Sequence, residues 1–171
     1  MRMVAGLSAP TEGEIRVFGL PPRETLSHLG YMAHAPLIYD ELSGMENLRF
    51  FAQLYGISSD EPLLRALEMV GLDPKLARRA GQYSQGMRQR LSLARSLFHS
   101  PGLLLLDEPF SNVDPESAGQ IAKLLAGLRA GGTTILLITH QLGLLAEIAD
   151  EFLFLSAGQL VDRREARQVT Q

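Results

Sequence analysis

Two adjacent carboxylates, Asp107 and Glu108, directly follow a run of four leucines at residues 103–106. A short continuous apolar run is typical of a parallel strand buried on both faces. Open α/β sheets bind ligands at the carboxyl ends of such strands. Because neighbouring side chains along a strand point in different directions, one carboxylate can face a magnesium ion while the other faces an attacking water, as phosphoryl transfer requires. The alternative is a solvated strand end that carries no chemistry.

A second apolar run, residues 134–139, ends directly before His140. Because the carboxyl ends of parallel strands meet at one edge of a sheet, we expect His140 to lie close to Asp107 and Glu108. A histidine at a strand end is also common as a plain surface residue, so its position alone does not assign it a role.

Ser84, Gln85 and Gly86 directly precede a helical pattern over residues 88–99. Ser84 can cap that helix, and Gly86 lets another group approach the backbone closely. The exposed N–H groups and the positive end of the helix dipole would then form an anion site, although a helix cap alone is the alternative. The first turns carry Arg88, Gln89 and Arg90, which could be merely the exposed face of the helix and are assigned no chemistry.

The rest of the pattern alternates strands with helices, which predicts a parallel α/β sheet in a single domain. Ser43 and Glu46 form a capping box that starts one helix, and Asp114 followed by Pro115 starts another. The segment from about residue 43 to 98 is mostly helical, so we expect a helical subdomain set against the sheet. Short strands are also expected at residues 14–18, 29–32 and 152–155, and the end of a helix at residues 1–7.

The composition excludes several classes of protein. A net charge of −3 over 171 residues argues against nucleic acid as a partner, because binding to a phosphate backbone requires a basic face. The chain has no cysteine, which excludes disulfides and thiolate metal sites. No apolar run approaches the ~18–20 residues that span a bilayer, and residues 1–7 are too short and too weakly basic for a secretory signal. A location at a membrane would therefore require a partner.

The order of these segments resembles the nucleotide-binding domain of ABC transporters over essentially the whole chain. The resemblance is carried by residues 84–86, the strand that ends at Glu108, residues 111–114 and His140. It implies an α/β P-loop NTPase core that binds ATP and Mg²⁺ and couples ATP hydrolysis to export through a transmembrane permease subunit. It also implies a second nucleotide-binding domain as dimer partner and a cytoplasmic position on the inner face of the cell membrane.

The resemblance further implies a role for each motif residue. Asp107 would be the Walker B aspartate that holds Mg²⁺ through water, and Glu108 the general base that polarises the attacking water. His140 would be the switch histidine that contacts the γ-phosphate. Asp114 would belong to the D-loop, which crosses the dimer interface, and would also cap its helix. The signature motif of the family, usually Leu-Ser-Gly-Gly-Gln, appears as a variant whose expected nucleotide contacts are Ser84, Gln85 and Gly86.

His34 stands where the family usually has the glutamine of the Q-loop, and we expect it to lie at the nucleotide site. A histidine can donate to a water, but it is a weaker Mg²⁺ partner than an amide carbonyl. Together with Ala35, Pro36 and the downstream residues 39–42 and 46–48, it resembles the ATP-binding subunit of the cytochrome c biogenesis haem exporter, which would make haem the cargo. Exporters of drugs and lipids have similar middle segments, so the substrate stays open.

The 171 residues contain no G-x-x-x-x-G-K-[ST] loop, which in the family cradles the nucleotide phosphates. The segment at residues 1–7 resembles the end of the helix that follows that loop. We therefore expect the chain to lack the N-terminal strands and the phosphate loop, including a central strand between residues 134–139 and 152–155. The second interpretation is a non-hydrolytic fragment or regulatory half-site. A third, a soluble ABC-type ATPase without a permease, would usually carry two such domains.

Overall fold

The structure, a computed structural model, describes residues 1–145 and 148–166. These residues contain four α-helices and five β-strands, which follow in the order β1 (Leu29–Met32), α1 (Gly44–Leu54), α2 (Glu61–Met69), α3 (Gln85–Leu97), β2 (Leu103–Asp107), α4 (Pro115–Ala130), β3 (Thr134–Ile138), β4 (Glu151–Ser156) and β5 (Gln159–Glu165). No helix in this part of the chain is long and apolar enough to cross a bilayer.

Strand β2 is the centre of a parallel three-stranded sheet with the order β1-β2-β3. Its leucines pair in register with β1 from Leu29 onwards, and Asp107 pairs with Ile138 of β3. Leu104, Leu105 and Leu106 have no exposed surface. Because both edges of β2 are paired and both of its faces are covered, an uninterrupted apolar run is the sequence that this position requires. The predicted α/β architecture is confirmed.

Three helices lie between β1 and β2, where the sequence predicts a mostly helical segment. The Ser43 hydroxyl accepts a hydrogen bond from Glu46 N at 3.3 Å, and the Glu46 carboxylate accepts one from Ser43 N at 2.8 Å, which confirms the capping box. Gly44 N donates to the Tyr83 hydroxyl at 3.2 Å, which joins the starts of α1 and α3. Helix α3 packs so closely on β1 that a Cβ on Gly30 would lie 2.2 Å from the Ser96 carbonyl oxygen.

The N-terminal segment differs from the predicted pattern at one place. Residues 1–7 form a helical turn that ends as predicted at Gly6, where Gly6 N and Leu7 N donate to the carbonyls of Met3 and Arg2 at 3.1 and 2.9 Å. The strand predicted at residues 14–18 is wrong. A two-residue turn forms at Phe18 and Gly19, with φ of 52° and 80°, and Val17 pairs with Leu20 across it. Among the described residues this segment pairs with no named strand.

Strand β4 occupies the predicted position of the last strand, but it lies outside the parallel sheet. It pairs antiparallel with β5, a strand that the sequence analysis does not predict. In the described part of the chain β3 and β4 do not pair with each other, and the expectation of a further strand between them stays a prediction. Apolar side chains on both strands are exposed, including Ile138 at 46% and Leu155 at 69%.

Candidate active site

The turn that follows β2 places the carboxylate of Glu108. Glu108 lies in the left-handed region with φ of 54°, which L-residues adopt rarely. Its amide donates to the Ile138 carbonyl at 2.9 Å, so the turn continues the pairing between β2 and β3. Its carbonyl accepts from Ser111 N at 3.1 Å. The carboxylate therefore leaves the sheet at a defined point beyond the strand ends.

Two residues that follow β3 contact this carboxylate. His140 Nδ1 lies 3.1 Å from it, and the Thr139 hydroxyl donates to Glu108 Oε2 at 3.3 Å. The Glu108 side chain is 18% exposed, whereas that of His140 is 73% exposed. The carboxylate is thus largely enclosed and oriented, while the imidazole faces solvent. The predicted proximity of His140 and Glu108 at one sheet edge is confirmed.

Asp107 and His34 lie at the same carboxyl edge. Asp107 is the last residue of β2 and is half-buried, and His34 is exposed two residues beyond the end of β1. The described residues hold no group of three or more histidine or carboxylate side chains that could enclose a metal by themselves. Mg²⁺ usually keeps several waters and binds one or two carboxylates together with substrate phosphates. Asp107 fits Mg²⁺ that arrives with a nucleotide.

The signature-like loop begins α3 as the sequence predicts. Ser84 is the N-cap, and its hydroxyl accepts from Met87 N at 3.2 Å. A Cβ on Gly86 would lie 3.7 Å from Val113 Cγ1, so this loop is in contact with the segment that precedes α4. Ser84 and Gln85 are exposed on a different element from the Glu108 carboxylate. The loop is therefore open to a ligand or a second molecule.

Asp114 caps α4 and is tied to α3 as well. Its carboxylate accepts from Ser117 N at 2.9 Å and from the Ser117 hydroxyl at 2.6 Å. These two hydrogen bonds, the hydroxyl first, lower the pKa of Asp114 below its ordinary value. Arg90 Nη2 donates to the same Ser117 hydroxyl at 2.6 Å. The predicted cap is confirmed, and it is part of a network that reaches the second turn of α3.

Gln89 does not belong to an exposed face, and that expectation is wrong. Its side chain is buried, with 5% of the residue exposed, and its Nε2 donates to the Glu108 carbonyl at 2.9 Å. Ser92 and Ser96 are also buried on α3. Ser96 lies where α3 approaches β1 most closely. The small polar residues therefore mark the buried side of α3, and this pattern is the sequence signal that could have predicted the burial of Gln89. Thr139 is a second site residue that the sequence pattern does not single out, and its only signal is its place directly before His140.

Comparison with known proteins identifies a family from the sequence. The family described as ABC transporter matches residues 1–111. The chain is 37% identical over 167 residues to the bacitracin transport ATP-binding protein BcrA of Enterococcus faecalis, covering 95% of this chain and 54% of that protein. It is 37% identical over 164 residues to a fluoroquinolones export ATP-binding protein of Mycobacterium tuberculosis, covering 94% and 54% respectively. The chain thus spans about half the length of the curated relatives it matches.

A solved structure with a similar fold is a dimeric ATP-binding cassette in a post-hydrolysis state, bound to ADP and Pi. The TM-score is 0.88, and the match covers 97% of this chain and 78% of the cassette. At 21% sequence identity this similarity shows the fold alone.

Proposed function

Because the chain belongs to the ABC transporter family of ATP-binding domains, we propose that the protein hydrolyses ATP to drive export through a membrane-spanning permease. The observation that supports this proposal most directly is the Glu108 carboxylate. It is largely enclosed at the carboxyl edge of a parallel sheet and contacts both Thr139 and His140. A carboxylate in that position can accept a proton from a water that attacks a phosphoryl group.

In the proposed mechanism Glu108 is the general base and His140 holds the charge that develops on the transferred phosphoryl group. The Thr139 hydroxyl donates to Glu108 Oε2 at 3.3 Å, and His140 Nδ1 lies 3.1 Å from Oε1. Each carboxylate oxygen has two lone pairs, so both can still accept a hydrogen bond from water. Asp107 would hold Mg²⁺, which neutralises phosphate charge when it is bound. His34, two residues beyond β1, would face the nucleotide from the neighbouring strand.

Two copies would form the complete site. Ser84, Gln85 and Gly86 begin α3 with free N–H groups and the positive end of the helix dipole, which suits the phosphates of a nucleotide held by the partner. The contact between Gly86 and Val113 places the loop next to the segment capped by Asp114. Both segments would therefore lie on the same dimer interface, consistent with a cassette that closes over ATP.

The test uses the chain joined to an upstream phosphate-loop segment from a relative. Mg²⁺-dependent ATP hydrolysis is expected, and Glu108→Gln should bind ATP but turn over at least ~10²-fold more slowly, as expected when a general base is removed. The matched control is Glu68→Gln, the same change at an exposed position on α2. Near-normal turnover by Glu108→Gln would remove the general-base assignment. An extended wild-type protein that binds ATP without hydrolysing it would favour the non-hydrolytic half-site instead.

For the cargo, we propose a drug or peptide antibiotic, because the relatives are named for transport of bacitracin and export of fluoroquinolones. Haem export, suggested by His34 and the two residues after it, remains a prediction that these relatives do not support. Deletion of the gene separates the two proposals. Increased sensitivity to bacitracin or fluoroquinolones is expected for antibiotic export, and loss of mature cytochrome c for haem export.

For the permease, we propose a docking surface on the cytoplasmic side of the membrane, formed by α1, the His34 segment and a groove of about 190 Å³. Phe51 and Tyr55 of α1 line this groove together with Arg95. Arg95 Nη2 donates to the Tyr31 carbonyl at 3.2 Å, and the guanidinium lies 5.0 Å from the centroid of the Phe51 ring. Its Nε has no hydrogen-bond partner among the described residues, and burial lowers its pKa. A permease helix with an acidic side chain would supply the missing charge.

The absence of cysteine in the chain gives a clean test of this surface. Phe50→Cys, at an exposed position on α1 beside the groove residue Phe51, is expected to crosslink to an integral membrane protein in vesicles from cells that make the complex. Val161→Cys, at a more exposed position on β5 (60% against 39% for Phe50), is the control. Crosslinking from Val161→Cys alone would place the permease on the opposite part of the molecule.

A further inference from the structure

Helix α3 touches the catalytic turn through one buried side chain. Gln89 lies in the second turn of α3, and its Nε2 donates to the main-chain carbonyl of Glu108 at 2.9 Å. We propose that Gln89 is a positioning residue that holds the Glu108 backbone in its left-handed turn, and so links the Ser84 loop to the catalytic carboxylate. This inference rests on the proposed function, in which Glu108 is the general base.

The hydrogen bond acts at a backbone position that needs support. At φ of 54° Glu108 occupies a sparsely populated conformation for an L-residue. Its peptide groups are held by Ile138 on the amide side and by Ser111 on the carbonyl side. Ile138 ends β3, the strand that pairs with β2, and Ser111 follows the turn directly along the chain. Gln89 is the side-chain partner of this carbonyl, and it approaches from a separate helix.

The direction of the Glu108 side chain depends on this turn. A change in φ of one residue rotates its Cα–Cβ bond, so a turn that relaxes to an extended conformation would carry the carboxylate away from Thr139 and His140. The contacts at 3.3 and 3.1 Å would then be lost. Removal of the Gln89 hydrogen bond is therefore expected to misplace the general base, not to alter the binding of nucleotide.

The position of Gln89 along α3 gives this contact a second consequence. Ser84 caps the helix five residues before Gln89, and Arg90, the next residue, donates to Ser117 of α4. A ligand at the Ser84 loop that shifts α3 along its axis would move the Gln89 amide and the Arg90 guanidinium together. A nucleotide bound at the Ser84 loop would thus change the position of Glu108, which acts on the other nucleotide of the dimer.

The first experiment needs no activity and uses the 171-residue chain. Gln89→Met keeps the side-chain length and removes the donor, and Gln53→Met makes the same change at an exposed position on α1. Amide exchange measured by NMR is expected to be at least about tenfold faster at Glu108 and Ser111 in Gln89→Met, with the centre of β2 unaffected. Unchanged exchange at both amides, or an equal acceleration throughout the sheet, would overturn the proposal. Gln89→Asn, too short to reach the carbonyl, provides the same comparison if the methionine variant does not fold.

The second experiment separates positioning from a purely structural role. In the protein extended by a phosphate loop, Gln89→Met is expected to lower kcat by about 10- to 100-fold with an unchanged KM for ATP. In the Glu108→Gln background the same substitution should cause no further loss, because the group that it positions is already absent. An equal loss in both backgrounds, or a rise in KM alone, would overturn the proposal. An inactive wild-type protein would remove the proposed function, while the exchange experiment still decides what Gln89 does to the turn.

Discussion

The Arg90 guanidinium donates to the Ser117 hydroxyl at 2.6 Å, a contact that fixes the second turn of α3 against the first turn of α4. The Ser117 hydroxyl in turn donates a hydrogen bond to Asp114 Oδ2 at 2.6 Å. A cation, a hydroxyl and a carboxylate therefore form a short chain between the two helices. The negative charge on Asp114 strengthens this chain of hydrogen bonds, because Arg90 donates to Ser117 and Ser117 donates to the Asp114 carboxylate.

The stability that depends on Asp114 is expected to vary with pH. Because the folded pKa is lowered, this contribution is fully present above the ordinary aspartate value and is lost as the pH falls through the lowered pKa. Asp114→Asn keeps a capping oxygen but carries no charge. The Tm of wild type should exceed that of Asp114→Asn at pH 7, and the difference should shrink below about pH 4. A difference that stays constant from pH 7 to pH 2 would contradict this account.

The close approach of α3 to β1 predicts opposite effects for two glycine substitutions. Gly30→Ala would place a methyl group 2.2 Å from the Ser96 carbonyl oxygen and 2.9 Å from Leu104 Cδ1, so a loss of about 1–3 kcal/mol or more in the free energy of unfolding is expected. Gly127→Ala, inside α4 with no atom within 4 Å, should stabilise by about 0.5–1 kcal/mol. Urea denaturation measures both changes, and a Gly30→Ala protein at least as stable as wild type would show that Gly30 has room for a methyl group.

The central strand should be far more sensitive than its neighbour to loss of side-chain volume. Leu106→Ala removes a fully buried side chain from β2 and is expected to cost about 2–5 kcal/mol in the free energy of unfolding. Leu136→Ala, on β3 at 37% exposure, should cost clearly less. Equal losses in urea denaturation would mean that β3 is covered in solution.

A bulky cation at the start of α3 should prevent closure of the dimer. In the protein that carries a phosphate loop, Ser84→Arg is expected to bind ATP as a monomer but not to dimerise with it. Light scattering in the Glu108→Gln background, where ATP persists, measures the dimer. Ser59→Arg, an exposed position before α2, is the control. A Ser84→Arg protein that still dimerises with ATP would place the signature contact elsewhere.

The features that could be predicted from the sequence are those with a local cause. Ser43, Ser84 and Asp114 cap their helices because each side chain satisfies backbone N–H groups within its own first turn. The meeting of Glu108 and His140 followed from a rule about parallel strands, which needs only two apolar runs and their ends.

The features that were missed depend on distant partners. Residues 14–18 have an apolar pattern but no strand beside them, so they form a turn at Phe18. Strand β5 carries few buried side chains and is held by its pairing with β4, which leaves no periodic signal. Gln89 is polar and lies near the start of a helix, where exposure is the usual outcome, and only the position of the Glu108 carbonyl accounts for its burial.

Among the residues that the structure describes, β3 and β4 each have an edge that pairs with no other strand, and we expect these edges to favour self-association in concentrated solution. Ile138, Leu153 and Leu155 expose between 46% and 69% of their surface beside backbone groups that a strand from another molecule can pair with. A net charge of only −3 provides weak repulsion between molecules. Self-association should therefore increase as the pH approaches the isoelectric point near 5.8, and dilute, mildly alkaline buffers should keep the protein monodisperse.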